Sequence, residues 1–149
     1  MKDMVNVIVV DDDSVDLRVI EKAFRGVGIQ NPIHFATDGL MALELLRGRD
    51  ALPPMRRPYL ILLDLKMPRM NGIEFLAELR RDPSLRDSIV FVFTTSAEDR
   101  DKLAAYQHCI AGYIVKSHTG DEVRTVIPML KQYLESVEFP PPPKEARLA

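Results

Sequence analysis

Acidic, hydroxyl and lysine side chains directly follow four apolar segments of this 149-residue chain. They are Asp11 and Asp12 after residues 5–10, Asp64 after residues 59–63, Thr94 after residues 89–93, and Lys116 after residues 113–115. Clustered carboxylates would repel one another and would need a cation to remain ionised together. Oxygen ligands favour a hard ion such as Mg2+, which often bridges to phosphate. A lysine and a hydroxyl beside that cation could stabilise phosphoryl transfer onto Asp64 itself.

Each of these residues also has an ordinary structural interpretation. Acidic residues after a strand are often helix caps, which is the interpretation that we favour for Asp13. A lysine at a strand end is usually solvated, and a Thr-Thr-Ser run usually forms a turn or a cap. The functional interpretation therefore depends on finding all of these residues at the matching ends of alternating strands.

Short apolar runs alternate with segments of helical periodicity along the chain. Five predicted strands cover residues 5–10, 33–36, 59–63, 89–93 and 113–115, and a helix is predicted after each. The unbroken apolar run 59–63 is typical of a strand that is buried on both faces. The alternation predicts an α/β fold with a doubly wound parallel sheet. The carboxyl ends of such strands lie at one edge of the sheet, where ligands bind, so the side chains above can converge.

Polar residues at the predicted helix ends have the types that capping requires. Ser14 is the predicted N-cap of the first helix, and Asp38 is that of the second. Ser96 and Asp99 resemble a capping box before the fourth helix. Pro128 lies inside the last helical segment and should kink it or delay its regular start.

The composition indicates one folded domain that is followed by a proline-rich tail. The net charge of −2 gives no electrostatic case for nucleic-acid binding, and no apolar run is long enough to cross a bilayer. The single cysteine, Cys109, fits a reducing cytoplasm and is expected to act as a small buried or half-buried hydrophobic residue. Residues 47–58 should form a solvated loop, and the proline-rich tail 139–149 should be extended.

The segments VIVVDDDS, YLILLDLKMPRMNGIEFL, IVFVFTTS and GYIVKS closely resemble the receiver domain of two-component response regulators. They occur in the order that this family has and extend to about residue 137, which implies a receiver domain over residues 1–138. The implied fold is the CheY-like (βα)5 sheet with strand order 2-1-3-4-5. By the same resemblance the chain is a signalling protein rather than an enzyme, apart from catalysing its own phosphorylation and dephosphorylation.

The resemblance assigns a phosphoacceptor and a metal site. Asp64 would be the phosphoacceptor. Asp12 and Asp64 would bind Mg2+ through their side chains, Lys66 would bind it through its backbone carbonyl, and Asp11 would assist.

The resemblance also assigns residues that respond to the phosphoryl group. Thr94 would bond to it and Lys116 would pair with it. Tyr113 matches the switch aromatic that moves with the threonine. The side chains of Lys66 and Ser96 occupy positions that tune phosphoryl loss in the family.

One residue departs from the family pattern. The family lysine is usually followed by a proline in a cis peptide, whereas Ser117 follows Lys116 here. A cis bond to a non-proline residue costs ~2.5–4 kcal/mol. We therefore predict a trans bond and a shifted loop at this point.

The implied partner is a sensor histidine kinase, and the implied output is a change in the face formed by helix four, strand five and helix five. The TTS sequence, the long segment before strand three and the ending YLESVEFPPP resemble, more narrowly, small response regulators paired with bacterial phytochromes. Some of those relatives dimerise through the last helices and the tail, so a homodimer is one expectation.

Two alternatives remain open from the sequence. Asp11-x-Asp13 after an apolar run also resembles the opening motif of haloacid-dehalogenase-type phosphatases, in which the first aspartate is the nucleophile. Val15 stands where that family has a hydroxyl residue, and no acidic pair follows a later strand. The other alternative is a degenerate receiver that serves only as a binding scaffold.

Overall fold

The computed structural model describes residues 4–117 and 119–141 of the chain. The strands are β1 (Asn6–Val10), β2 (Ile33–Ala36), β3 (Tyr59–Leu63), β4 (Ile89–Thr94) and β5 (Gly112–Val115). The helices are α1 (Ser14–Gly26), α2 (Gly39–Arg47), α3 (Gly72–Arg81), α4 (Asp99–Gln107) and α5 (Glu122–Ser136). The five strands form one parallel sheet in the order β2-β1-β3-β4-β5. The predicted doubly wound α/β fold is confirmed.

Strand β3 lies at the centre of the sheet, and all five of its residues are buried. Its side chains alternate between two apolar cores, one on each face of the sheet. Ile61 and Leu63 point to the core that α2, α3 and α4 cover, whereas Leu60 and Leu62 point to the core under α1 and α5. This double burial explains why the sequence of β3 is apolar without interruption.

Side chains cap the first two helices. Asp13 is the N-cap of α1, and its Oδ1 accepts a hydrogen bond from the Val15 amide at 2.9 Å. The prediction of Ser14 as the cap is wrong by one residue, because aspartate caps as well as serine and the extended backbone is at position 13. Asp38 caps α2 as predicted, accepting from the Met41 amide at 2.8 Å.

The start of α4 differs from the prediction. The N-cap is Glu98, and it makes no side-chain capping bond. Ser96 lies too far upstream to cap a helix that begins at Asp99, so the predicted capping box is wrong. The Ser96 hydroxyl instead donates to Asp101 Oδ2 at 2.5 Å.

The turn after α4 leaves Cys109 exposed, with a positive φ of 59°. The prediction of a buried or half-buried cysteine is therefore wrong, because the left-handed turn directs position 109 outwards. The turn is held by the Arg80 guanidinium, which donates to four backbone carbonyls. These are the carbonyls of His108 at 2.6 Å, Arg86 at 2.8 Å, Ser88 at 2.9 Å and Cys109 at 3.0 Å.

Replacing Arg80 with alanine is expected to lower the free energy of unfolding by about 2 kcal/mol, because it removes four charge-assisted hydrogen bonds, two of which are partly buried. Arg80→Lys should recover only part of this loss, since one ammonium cannot span the same acceptors as the planar guanidinium. Urea unfolding would measure both effects. Arg86→Ala is the control, because the Arg86 side chain is exposed. A loss in Arg80→Ala no greater than in the control would contradict the prediction.

Pro128 lies inside helix α5, as predicted. The helix already begins at Glu122, so the proline does not delay its start. The chain after α5 packs back onto the body. Tyr133 lies edge-on between Phe91 at 5.1 Å and Phe139 at 5.8 Å, measured between ring centroids. Phe139 therefore joins the core under α1 and α5.

The end of the predicted loop 47–58 contacts this C-terminal segment. Arg57 donates to the Pro141 carbonyl at 3.4 Å, to the Ser84 carbonyl at 2.5 Å and to Asp87 at 2.7 Å.

Residues 142–149 of the predicted tail lie outside the described residues. Within the part of the chain that the structure describes, no helix is long and apolar enough to cross a membrane.

Candidate metal and phosphoryl site

Asp11, Asp12 and Asp64 form a cluster in which carboxylate oxygens lie within 4.8 Å of one another. Asp11 follows β1 and Asp64 follows β3, and these two strands pair with Val10 opposite Leu63. The Asp64 amide donates to the Val10 carbonyl at 2.9 Å, which fixes the backbone of Asp64 against the neighbouring strand. The parallel register thus brings acids from two separate segments together, as the sequence predicted.

Lys116 reaches this cluster from the end of β5. Its Nζ lies 2.6 Å from Asp11 Oδ2, 3.0 Å from Asp16 Oδ2 and 3.8 Å from Asp64 Oδ2. The Lys116 amide donates to the Thr94 carbonyl at 2.7 Å, which aligns its side chain with the edge of the sheet. The predicted lysine is therefore at the site, with a side chain only 9% exposed.

The electrostatics of the site follow from burial. Burial raises the pKa of the Asp11 carboxyl to about 6, and Asp64 adds to the rise, although hydrogen bonds from Lys116 and from the Asp13 amide oppose it. Burial alone would lower the pKa of Lys116, but its hydrogen bond to Asp11 and the charge of Asp64 outweigh burial and raise it. Lys116 is consequently charged at neutral pH. The ionised form of Asp11, in contrast, is disfavoured by burial unless a further cation lies nearby.

Thr94 is the last residue of β4 and is fully buried. Its Oγ1 accepts from the Ser96 amide at 3.5 Å. The half-buried Tyr113 donates its hydroxyl hydrogen to the Ser96 carbonyl at 2.8 Å. The two residues predicted to act as the switch therefore contact the same residue, and a shift of the loop at Ser96 would affect both.

Lys66 and Ser96, the predicted tuning positions, meet at Asp101. Ser96 donates to Asp101 Oδ2, and Lys66 Nζ lies 4.0 Å from the same oxygen. Lys66 is exposed, and its amide donates to Asp64 Oδ1 at 3.3 Å. Lys66 and Ser96 are therefore linked through one carboxylate oxygen of α4.

Helix α3 begins directly against the backbone that follows β3. A Cβ added at Gly72 would lie 2.5 Å from the Asp64 carbonyl oxygen and 2.7 Å from Leu65 Cα. The Gly72 amide donates to the Leu65 carbonyl at 3.1 Å. Only glycine permits this approach, which holds the segment after Asp64 in place.

The loop after β5 is tied to the start of α5. Ser117 donates to Glu122 twice, from its amide at 2.7 Å and from its hydroxyl at 2.5 Å. Among the described residues, the one cis peptide bond is Arg57–Pro58. The Lys116–Ser117 peptide is therefore trans, as predicted.

The sequence analysis missed two acidic residues of the site, Asp16 and Asp101. Asp16 lies in the first turn of α1, where an acidic residue is expected simply as a favourable partner of the helix dipole. Asp101 lies in the first turn of α4, where an acidic residue has an ordinary interpretation as a partner of the helix dipole. No sequence pattern indicated its contacts.

The donor set fits a divalent cation. Three carboxylates contribute only oxygen atoms, and the exposed Asp12 leaves the cluster open to water. Hard ions bind such ligands and keep several waters. A divalent ion held by Asp11, Asp12 and Asp64 would also relieve the repulsion that Lys116 offsets only in part.

A doubly wound sheet with acids, a buried hydroxyl and a lysine at its carboxyl edge defines a class of small α/β proteins that handle phosphoryl groups with a divalent ion. Residues 7–128 match the model of the response regulator receiver domain. The chain therefore belongs to the response regulator receiver domain family. Receiver domains bind a divalent metal and accept phosphoryl groups from histidine kinases as signalling proteins.

Similar proteins cover nearly the whole chain. Response regulator Rcp1 of Synechocystis sp. is 30% identical over 135 residues, which are 90% of this chain and 92% of that protein. The crystal structure of the phosphorylated cyanobacterial phytochrome response regulator RcpA has a TM-score of 0.84 at 28% identity, covering 93% of this chain and 100% of RcpA. The Mn2+-bound form of Rcp1 has a TM-score of 0.82 at 30% identity, covering 91% of this chain and 99% of Rcp1.

Proposed function

We propose that this protein accepts a phosphoryl group from a sensor histidine kinase on Asp64, with Mg2+ as the divalent ion. The observation that carries the proposal is the meeting of Asp11, Asp12 and Asp64 within 4.8 Å, with Lys116 Nζ at 3.8 Å from Asp64 Oδ2. The buried Thr94 at the end of the adjacent strand supplies a hydroxyl. Together these groups supply a nucleophile, a cation site and two donors for phosphoryl oxygens.

The proposed transfer forms one bond and breaks one. A carboxylate oxygen of Asp64 attacks the phosphorus of the kinase phosphohistidine, the P–N bond breaks, and the imidazole leaves with the electron pair. A bound Mg2+ supplies charge neutralisation at the transferring oxygens. Lys116 and Thr94 then pair with the phosphoryl oxygens. Loss of the phosphoryl group is a hydrolysis, in which water attacks phosphorus, the bond between phosphorus and the Asp64 oxygen breaks, and inorganic phosphate leaves while Asp64 is restored as a carboxylate.

The proposed metal ligands are the side chains of Asp12 and Asp64 and the backbone carbonyl of Lys66, with Asp11 assisting. Lys66 and Ser96 control how readily water reaches the phosphoryl group. Their shared contact with Asp101 supports this role, because it links the two side chains beside Asp64, whose Oδ1 accepts from the Lys66 amide.

The proposed output is a population shift. Thr94 moves towards the phosphoryl group, and Tyr113 follows because both contact Ser96. The shift changes the face formed by α4, β5 and α5, where Leu103 and Tyr106 are exposed. The phosphoryl group can drive the shift only by contacting one state better than the other.

The narrower proposal is that the kinase is a bacterial phytochrome. The similarity to RcpA, whose crystal structure is described as that of a phytochrome response regulator, supports it. We also propose cytoplasmic action, a homodimer through α4, α5 and the tail, and a division into the receiver domain 1–138 and the tail 139–149.

Mass spectrometry after incubation with acetyl phosphate and Mg2+ tests the proposal. One phosphoryl group is expected on the peptide that contains Asp64, and EDTA should prevent its appearance. Phosphotransfer from purified histidine kinases, including a phytochrome kinase, then tests the partner. Absence of any Mg2+-dependent label would favour a degenerate scaffold.

A further inference from the structure

Asp16 makes an ion pair with Lys116 that neither the metal cluster nor the phosphoacceptor requires. Its Oδ2 lies 3.0 Å from Lys116 Nζ, whereas the clustered acids that could hold a metal are Asp11, Asp12 and Asp64. We propose that Asp16 is a positioning residue that holds Lys116 on the α1 side of the site and competes with a phosphoryl group on Asp64 for its ammonium. The inference rests on the function proposed above.

The distances from Lys116 Nζ to the surrounding carboxylates show which groups a phosphoryl group on Asp64 would compete with. Lys116 Nζ is within hydrogen-bond distance of Asp11 and Asp16, while the nearest Asp64 oxygen lies at 3.8 Å. An ammonium has three donors, so two are engaged by Asp11 and Asp16. A phosphoryl oxygen on Asp64 must therefore share the ammonium with these carboxylates or draw it away from one of them.

Asp16 is the carboxylate that Lys116 can leave. Asp11 is 2% exposed, and losing its ammonium would leave a buried charge unpaired. Asp16 is 38% exposed, so water can replace the lysine there at a smaller cost. The competition consequently acts on the contact with Asp16.

Helix electrostatics alone do not account for this contact. An acidic residue in the first turn of a helix interacts favourably with the helix dipole wherever its side chain points. Asp16 instead bonds to a lysine 100 positions further along the chain. Glu21 on the same helix contributes no ion pair to Lys116, which makes it a matched control for removal of a negative charge from α1.

Asp16→Asn removes the charge while keeping the size of the side chain. The initial rate of Mg2+-dependent labelling by acetyl phosphate and the steady-state labelled fraction should both rise, by about two- to fivefold, the range spanned by one partly exposed ion pair. The Mg2+ concentration at half-maximal labelling should stay unchanged, because Asp16 is outside the metal cluster. Asp16→Glu should restore labelling towards the wild-type rate.

The experiment compares wild type, Asp16→Asn, Asp16→Glu and Glu21→Gln at saturating Mg2+, with circular dichroism to establish that each variant is folded. Labelling of Asp16→Asn at or below the wild-type rate overturns the inference, as does an equal rise in Glu21→Gln. These outcomes leave the proposed function standing if wild type is labelled on Asp64. If wild type itself carries no label on Asp64, the proposed function fails instead.

Discussion

Asp64→Asn should reduce phosphoryl incorporation from acetyl phosphate to the background level, a loss of at least two orders of magnitude by the scale of removing a nucleophile. An amide oxygen is a poor nucleophile, and the substitution also removes one negative charge from the cluster with Asp11 and Asp12. Intact-protein mass spectrometry in the presence of Mg2+ would measure the effect. The result would locate the chemistry on the strand at the centre of the sheet.

Two matched substitutions sharpen this experiment. Asp50→Asn removes an exposed carboxylate in the loop after α2 and should leave labelling unchanged. Asp11→Asn distinguishes the receiver from the phosphatase alternative, in which Asp11 would be the nucleophile. Persistent labelling of Asp64→Asn together with loss in Asp11→Asn would contradict the assignment.

Lys116→Met should lower the free energy of unfolding at neutral pH by about 3 kcal/mol, because it leaves Asp11 buried without its cation. Methionine keeps the apolar stem of the side chain but removes the ammonium, whose Nζ also lies 5.3 Å from the centroid of the Phe93 ring. Urea unfolding of the metal-free protein would measure the loss. The exposed Lys22 provides the control Lys22→Met, for which little change is expected.

The pH dependence of this loss has a definite sign. The folded-state pKa of Asp11 is raised to about 6, above its unfolded value, so ionised Asp11 costs stability at neutral pH and protonation relieves the cost as the pH falls. Without Lys116 this pKa should rise further. The loss of unfolding free energy in Lys116→Met should therefore become smaller as the pH falls from 7.5 to 5. Added Mg2+ should also make this loss smaller at neutral pH. A loss of unfolding free energy that depends on neither pH nor Mg2+ would contradict the electrostatic explanation.

The sequence predicted the strands closely because their apolar runs are short and end in polar residues. The run 59–63 matches β3, and 33–36 matches β2. The strand order is not contained in these patterns, since several orders of five parallel strands bury the same residues. It followed from the family resemblance, and the structure confirmed it.

The site was predictable where strand ends supply it. Asp11, Asp12, Asp64 and Lys116 come together because parallel strands share one carboxyl edge. Asp16 and Asp101 escaped prediction because helices deliver them, and a helical residue's partner across the fold depends on packing rather than on local sequence.

Capping residues and turns were predicted less well. Ser96 has the residue type of a cap, but its hydroxyl bonds to Asp101, and α4 begins three positions later. Capping depends on where the backbone turns into the helix, to within one residue. Residue type alone does not specify that position.

The contact between Phe139 and Tyr133 has a practical consequence for engineering. A fluorescent reporter or an effector module joined at residue 138 would displace Phe139 and expose one edge of the Tyr133 ring to water. It would also remove the Pro141 carbonyl that accepts a hydrogen bond from Arg57. Junctions placed after residue 141 would preserve both contacts and leave the receiver's own stability intact for biosensor design.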